Sequence, residues 1–397
     1  MEKKLTIGLF NDSFFPFADG VIMVLDNYAR RLSEYANVIV FVPSYSGTKY
    51  DDSKFPYKVV RCKSIKIPTV EYTLPITKLD IKFNLELKDC ELDIVHIHSP
   101  FTIGEAGLNY ARKHNIPCIA TMHTQFKRDF KRAVKEEHLA NALNNNLIRL
   151  FNKCDECWAV NKEVGRIYHE EYGYKTVPRV MNNATEFKPV EDKKKAIDFI
   201  NKKYHLKKDE KVFLFVGRIN TVKNILFIVE SLKALKEKNP KSKFKMLFVG
   251  SGPDEDKLKE CIELNGMENE VIMCGKVTDR DELAYHYCRA DLFLFPSKYD
   301  ASSIVQIEAA SQGTPAVFLK GTATSSTVTD NVNGFLSDDS IDAYSNKILE
   351  IITNKELYNE VSNNAFTQLY KNWEDTVDEA YELYKELIEK KKQEEVQ

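Results

Sequence analysis

Short apolar runs alternate along the chain with longer stretches whose apolar residues recur every three or four positions. In the first half the strand-like runs are Leu5–Phe10, Asn37–Pro43, Ile94–Ile97, Cys118–Met122 and Cys157–Val160, with helical stretches such as Val24–Tyr35 and Thr102–Lys113 between them. The second half repeats the pattern. Its strand-like runs are Val212–Val216, Lys245–Val249, Val271–Cys274, Leu292–Phe295 and Ala316–Phe318. Its helices include Ile225–Lys238, Asp256–Leu264, Asp281–Cys288 and Ser303–Ser311. Continuous apolar runs are strands buried on both faces, and β-α alternation makes parallel, doubly wound sheets. The alternation occurs twice, which predicts an α/β protein with two Rossmann-like domains. The polar segment Lys188–Lys208, rich in Lys and Asp, reads as the linker region, dividing the chain into 1–187 and 188–372. Residues 373–397 form a closing segment whose Trp373–Lys392 part reads as a helix.

Length agrees, since 397 residues exceed one ordinary core. The hydrophobic fraction of 43% is that of a soluble globular protein. A net charge of −2 gives the whole chain no electrostatic reason to bind nucleic acid. The charge is uneven: residues 1–180 carry about +4 and the rest about −6. The first half is therefore the one to meet an anionic surface. Eight scattered cysteines read as reduced thiols of a cytoplasmic protein; Cys154 and Cys157 form a C-x-x-C without the second ligand pair that a zinc site needs. No apolar run approaches the ~20 residues of a membrane span.

Open parallel sheets bind ligands past the carboxyl ends of their strands, and two such sheets facing each other leave a cleft lined by those loops. After the first strand, Asp12, Pro16 and Gly20 lie in a loop that leads into a helix, where a glycine lets backbone N–H groups approach a phosphate. The loop after Val212–Val216 reads GRINTVKN. Arg218 and Lys223 suit a diphosphate there, the Arg as a fork and the Lys as a point charge; taken alone, the loop is also compatible with a solvated basic turn. Gly250 and Gly252, in VGSGPDED, allow close packing against a strand end, or mark a simple turn. The stretch PSKYDASSIVQIEAASQGTP, Pro296 to Pro315, follows a buried strand and holds two acids, Asp300 and Glu308. Ser302 or Ser303 is a good N-cap for a short helix, whose free N–H groups make an anion site. Carboxylates accept hydrogen bonds in pairs, as vicinal sugar hydroxyls require. Glu308, between Ile307 and Ala309, reads as buried with a partner.

In this order and spacing the motifs resemble the retaining family 4 glycosyltransferases of the GT-B fold, bacterial lipid glucosyltransferases among them. The resemblance rests on Pro16-x-x-x-Gly20-Val21, IVHIHSPFTIGEAGLNYARKHNIPCIATMHTQF with His98 and His123, VMNNATEF, GRINTVKN, VGSGP, GKVTDRDEL and the stretch above. It implies that Arg218 and Lys223 bind the diphosphate of a nucleotide-sugar donor, UDP-glucose, and stabilise the leaving nucleotide. Gly20 would close over the same phosphates, Glu308 would take the ribose hydroxyls, and Asp300 would hold the transferred sugar. N–H groups of Ser303 and Ile304 would lie nearby, His123 beside the reacting sugar carbon, and Val277 in the base pocket. The chain departs from the family pattern at Asp300, usually Glu, at Ser303, usually Gly, and at Asn183-Ala184, usually Asn-Gly. Asp300 reaches one methylene less far.

The resemblance also implies hexosyl transfer with retention and no metal or cofactor, and no divalent-metal acid cluster is visible in the sequence. Fixed cations and a helix end aimed at the leaving phosphate supply the charge stabilisation. No carboxylate pair is placed for a glycosidase-like double displacement. Two basic stretches with aromatics, Lys54–Lys66 and Phe126–Lys135, suit an anionic bilayer as well as they suit solvated surface. On the membrane reading the acceptor is a membrane lipid or cell-envelope glycan and the enzyme is peripheral on the inner face of the membrane. A soluble sugar or sugar phosphate, a nucleotide-sugar epimerase and a non-catalytic binder are the alternatives.

Overall fold

The computed structural model describes residues 4–17, 19–66, 73–134 and 136–396. Its contacts divide the chain into two compact units, Met1–Asn183 with Trp373–Gln397, and Ala184–Asn372. The division at 183/184 places Ala184–Phe187 in the second unit, not with residues 1–187.

The first unit is built on strands β1 (Thr6–Phe10), β2 (Asn37–Pro43), β3 (Lys58–Cys62), β6 (Ile94–Ile97), β7 (Cys118–Met122), β8 (Glu156–Ala159) and β9 (Arg179–Val180), with a separate antiparallel pair β4 (Ser64–Lys66) and β5 (Thr73–Pro75). The seven-stranded sheet has the order β3-β2-β1-β6-β7-β8-β9, and every pair is parallel. All residues of β6 and β7 are buried, which is why these strands show no polar alternation. At the sheet edge β3 differs: Lys58 is exposed and Arg61 half-buried, the usual protection of an unpaired edge. That half-apolar, half-charged pattern hid β3 inside the basic stretch Lys54–Lys66. Helix Gly20–Leu32 begins earlier than Val24 because the Asp19 carboxylate accepts from the N–H of Ile22 at 2.9 Å.

The second unit holds β10 (Lys211–Val216), β11 (Phe244–Val249), β12 (Val271–Gly275), β13 (Leu292–Leu294), β14 (Ala316–Leu319) and β15 (Phe335–Ser337), in the order β12-β11-β10-β13-β14-β15, again all parallel. The expected linker Lys188–Lys208 is not one. It contains the helix Lys193–Lys203, capped by Asp192, with Ala196 and Ile200 buried. Gln312 also ties its start down, accepting from the N–H of Val190 and donating to Lys188 O, each at 2.9 Å. Only two apolar positions face the core, so a lysine-rich helix passed for a polar connection.

In each sheet the strand order reverses at the first strand: β1 lies between β2 and β6, and β10 between β11 and β13. Adjacent loops leave in opposite directions at such a point and open a crevice past the carboxyl ends.

The closing helix Trp373–Val396 packs in the first unit through a stripe of Trp373, Val377, Ala380, Tyr384 and Ile388, four, three, four and four residues apart as one helix face requires. Tyr384 stacks on Trp158 with ring centroids 5.7 Å apart, and its hydroxyl lies 2.6 Å from His96 Nδ1. Both tryptophans of the chain, Trp158 and Trp373, are in this unit, so tryptophan fluorescence reports its unfolding alone. Tyr384→Ala should lower the stability of the first unit by about 3–5 kcal/mol, the cost of emptying a fully buried aromatic site. Urea titration followed by fluorescence measures it, and an unchanged midpoint would show that the helix is not part of the core.

Candidate active site

The loops after β10 and β13 meet at the switch point of the second sheet. Gly217 turns the chain out of β10, and Asn220 accepts from the N–H of Lys223 at 3.2 Å, closing the short turn Thr221–Lys223. Asn224, in the left-handed region at φ 61°, donates to Pro296 O at 3.2 Å and so ties this loop to the one after β13. Lys223 Nζ forms an ion pair with Asp300 Oδ1, while Asp300 Oδ2 is buried without a hydrogen-bond partner among the described residues. The structure therefore joins two residues that the resemblance assigns to different parts of one ligand. Arg218 is exposed one residue past Gly217.

The glycines of VGSGP act on this loop directly. A Cβ on Gly250 would stand 1.9 Å from Gly217 O, and one on Gly252 2.2 Å from Ile219 O. Their absence lets Ile219 N–H reach Ser251 O at 3.0 Å, and lets Asp254 accept from the N–H of Thr221 at 2.8 Å.

Ser303 is the N-cap of the helix Ile304–Ser311, accepting from the N–H of Gln306 at 3.3 Å. The cap takes the N–H of Gln306, and the helix proper begins at Ile304, directly after Ser303. Glu308, one turn further on, is 5% exposed. Tyr287 donates to its Oε2 at 2.7 Å, and Arg280 Nη2 lies 3.2 Å from its Oε1. Burial pushes the carboxyl pKa up, and the Arg280 charge and both hydrogen bonds pull it back. Arg280 in turn pairs with Glu186 at 2.5 Å and lies over the Phe187 ring. Neither Tyr287 nor Arg280 was singled out from the sequence; GKVTDRDEL contains Arg280, but nothing local marks it as the partner of an acid 28 residues on. Val277, past β12, packs half-buried against the core.

In the first unit Gly20 is the exposed first residue of its helix, with open space where a Cβ would be. Asp12 has a structural task. Its carboxylate accepts from Ser99 Oγ at 2.8 Å, Thr102 Oγ1 at 3.1 Å and the N–H of Ile103 at 2.8 Å. It thereby caps the helix Thr102–His114, whose own N-cap position, Phe101, offers no acceptor. His123 directly follows β7 and His98 directly follows β6, and His123 Nε2 lies 3.0 Å from His98 Nδ1. Burial holds these rings neutral: the pKa values of His96 and His123 are pushed down to about 3, and that of His98 is lowered as well.

The basic stretches do not present all their charge to solvent. Arg61 pairs with Asp52 at 2.8 Å and stacks over the Tyr50 ring at 3.7 Å, and Lys58 faces Glu86 at 3.7 Å. In the helix Phe126–Ala133, Phe126 packs edge-on against Phe101 and Lys131 pairs with Glu137 at 3.0 Å; Lys135 lies outside the described residues. Among the described residues no helix is long and apolar enough to cross a membrane.

Residues 18–186 match the model for Glycosyltransferase Family 4 and residues 196–368 that for Glycosyl transferases group 1. The chain belongs to this glycosyltransferase family. This glycosyltransferase is 24% identical over 380 residues to an alpha-monoglucosyldiacylglycerol synthase of Acholeplasma laidlawii, covering 91% of the chain and 92% of the relative. It is 27% identical over 323 residues to the enzyme of the same name from Streptococcus pneumoniae, covering 79% and 70%. Among solved structures, Anabaena HepE in complex with UDP superposes with a TM-score of 0.77 at 16% identity, covering 97% of this chain and 100% of that one. Sucrose-phosphate synthase from Thermosynechococcus elongatus gives 0.77 at 19%, covering 97% and 99%. The fold is GT-B, and the protein is a hexosyltransferase.

Two expectations follow for this glycosyltransferase. Gly252→Ala should cost about 1–3 kcal/mol in the second unit, because backbone must give way at Ile219 O; calorimetry of the two proteins reads it. The first unit should also be acid-labile. Its buried histidines are neutral when folded, so the unfolded chain takes up more protons below its ordinary histidine pKa. Stability is complete above about pH 6.5 and falls as pH drops toward 3. A urea midpoint by tryptophan fluorescence that is equal at pH 7.5 and 5.5 would contradict this.

Proposed function

We propose that this glycosyltransferase moves glucose from UDP-glucose to a membrane lipid or cell-envelope glycan, with retention of anomeric configuration and without a metal ion. The observation that carries the reading is the Lys223–Asp300 pair at the switch point of the second sheet, with Arg218 exposed in the same loop and the helix Ile304–Ser311 leading to buried Glu308. The two synthases of monoglucosyldiacylglycerol among the relatives support the lipid, and UDP in HepE supports the nucleotide.

An ammonium carries three donors. Lys223 can keep Asp300 and offer another N–H to a diphosphate oxygen, which leaves Asp300 Oδ2, without a partner among the described residues, for a hydroxyl of the sugar. Arg218 and the N–H groups of Ser303 and Ile304 offset the negative charge of that diphosphate. Glu308, oriented by Tyr287 and Arg280, takes the ribose hydroxyls, and Val277 borders the base. On the first unit Gly20 serves the phosphates and His123 the reacting sugar. The barrier is C–O cleavage with charge moving onto the leaving UDP. The acceptor hydroxyl attacks on the leaving-group face and passes its proton to a phosphate oxygen. Work at the membrane is peripheral, from the cytoplasmic side, through the Phe126–Ala133 helix.

The test is UDP release from UDP-glucose with phosphatidylglycerol vesicles containing diacylglycerol, with EDTA present, followed by anomer analysis of the product. An α-linked glucolipid is expected, and Lys223→Ala should lower kcat by about 10²–10³-fold. A β-linked product overturns retention, loss of turnover in EDTA overturns metal independence, and transfer to soluble sugars alone overturns the lipid acceptor.

A further inference from the structure

The buried pair His98 and His123 stands at the carboxyl ends of neighbouring strands, with the ring planes 15° apart and Nδ1 of the first 3.0 Å from Nε2 of the second. One nitrogen of the four decides the rest. His98 Nε2 is buried and has no hydrogen-bond partner among the described residues. Two neutral arrangements fit the 3.0 Å contact. If His123 Nε2–H donates, His98 must carry its hydrogen on Nε2, and a buried N–H is stranded. If His98 Nδ1–H donates, Nε2 is only a bare lone pair. Stranded buried N–H groups are rarer and costlier than unfilled acceptors.

We infer that His98 is a positioning residue: by donating from Nδ1 to His123 Nε2 it holds the His123 hydrogen on Nδ1 and so presents an N–H, not a lone pair, to the substrate. His98 is held in turn by ring contacts, with the His96 ring tilted against it at 4.2 Å between centroids and the Tyr28 ring edge-on at 5.6 Å. The chemistry of what His123 meets follows. It is an oxygen that accepts a hydrogen bond, a sugar hydroxyl or a leaving phosphate oxygen. His123 is excluded as a base that removes the acceptor's proton. The inference rests on the proposed function only in taking His123 to face the sugar; the tautomer stands on the pair's own geometry.

Nitrogen-15 NMR of histidine-labelled full-length protein reads the tautomers directly. Both rings should carry hydrogen on Nδ1, and hydrogen on Nε2 of His123 overturns the inference. His98→Asn keeps an N–H close to the Nδ1 position, His98→Asp offers only acceptors there, and His98→Leu offers neither. In the UDP-glucose assay His98→Asn should retain most of kcat, whereas Asp and Leu should each lose about 10²-fold, with KM for UDP-glucose unchanged in all three. Asn falling as far as Leu, while all variants keep the wild-type fluorescence midpoint, also overturns it. If the wild-type protein turns over no UDP-glucose, the proposed function fails, and the NMR result still decides the tautomer.

Discussion

Parallel pairing throughout both large sheets sends every strand-to-helix loop out over the same sheet edge. The residues singled out in the sequence come from those loops: Asp12 after β1, His98 after β6, His123 after β7, Lys223 after β10, Val277 after β12 and Asp300 after β13. Residues far apart in the chain become neighbours only through this geometry. Lys223 and Asp300 are 77 positions apart and share an ion pair; His98 and His123 are 25 apart and share a hydrogen bond.

Placing charge at a buried sheet edge has a cost, and the structure meets it with dedicated partners. Glu308 is held by Tyr287 and Arg280, and Arg280 is itself neutralised by Glu186. Asp12 is surrounded by a serine, a threonine and two backbone N–H groups at the head of a neighbouring helix. The two acids differ in what they leave open. Asp12 has its donors supplied by its own unit and acts as a cap. Asp300 keeps one oxygen without a partner among the described residues, beside a lysine, whereas every donor to Asp12 serves to hold the fold.

The loops are held with similar economy. Gly250 and Gly252 carry no chemistry, yet backbone occupies the place of their missing side chains, so the loop bearing Arg218 and Lys223 has its position set from the next strand along. His96 and His98 are held by aromatic contacts from Tyr28, and His96 also by Trp158 and Tyr384; Tyr384 belongs to a helix that comes from the far end of the chain.

The sequence by itself determined the two runs of β-α alternation, the strands buried on both faces and the loops where chemistry collects. Continuous apolar runs and the glycines and caps that end them are local signals, and they survive folding. It also marked Glu308 as buried, because the flanking residues are apolar. Tertiary structure alone decided which groups are partners. Tyr287 and Arg280 reach Glu308, Asp52 draws Arg61 inward from a stretch that reads as uniformly basic, and Ala196 with Ile200 turns a lysine-rich connection into a packed helix. Such pairings depend on which strand lies beside which, and strand order is set by the packing of the whole sheet, not by any one segment.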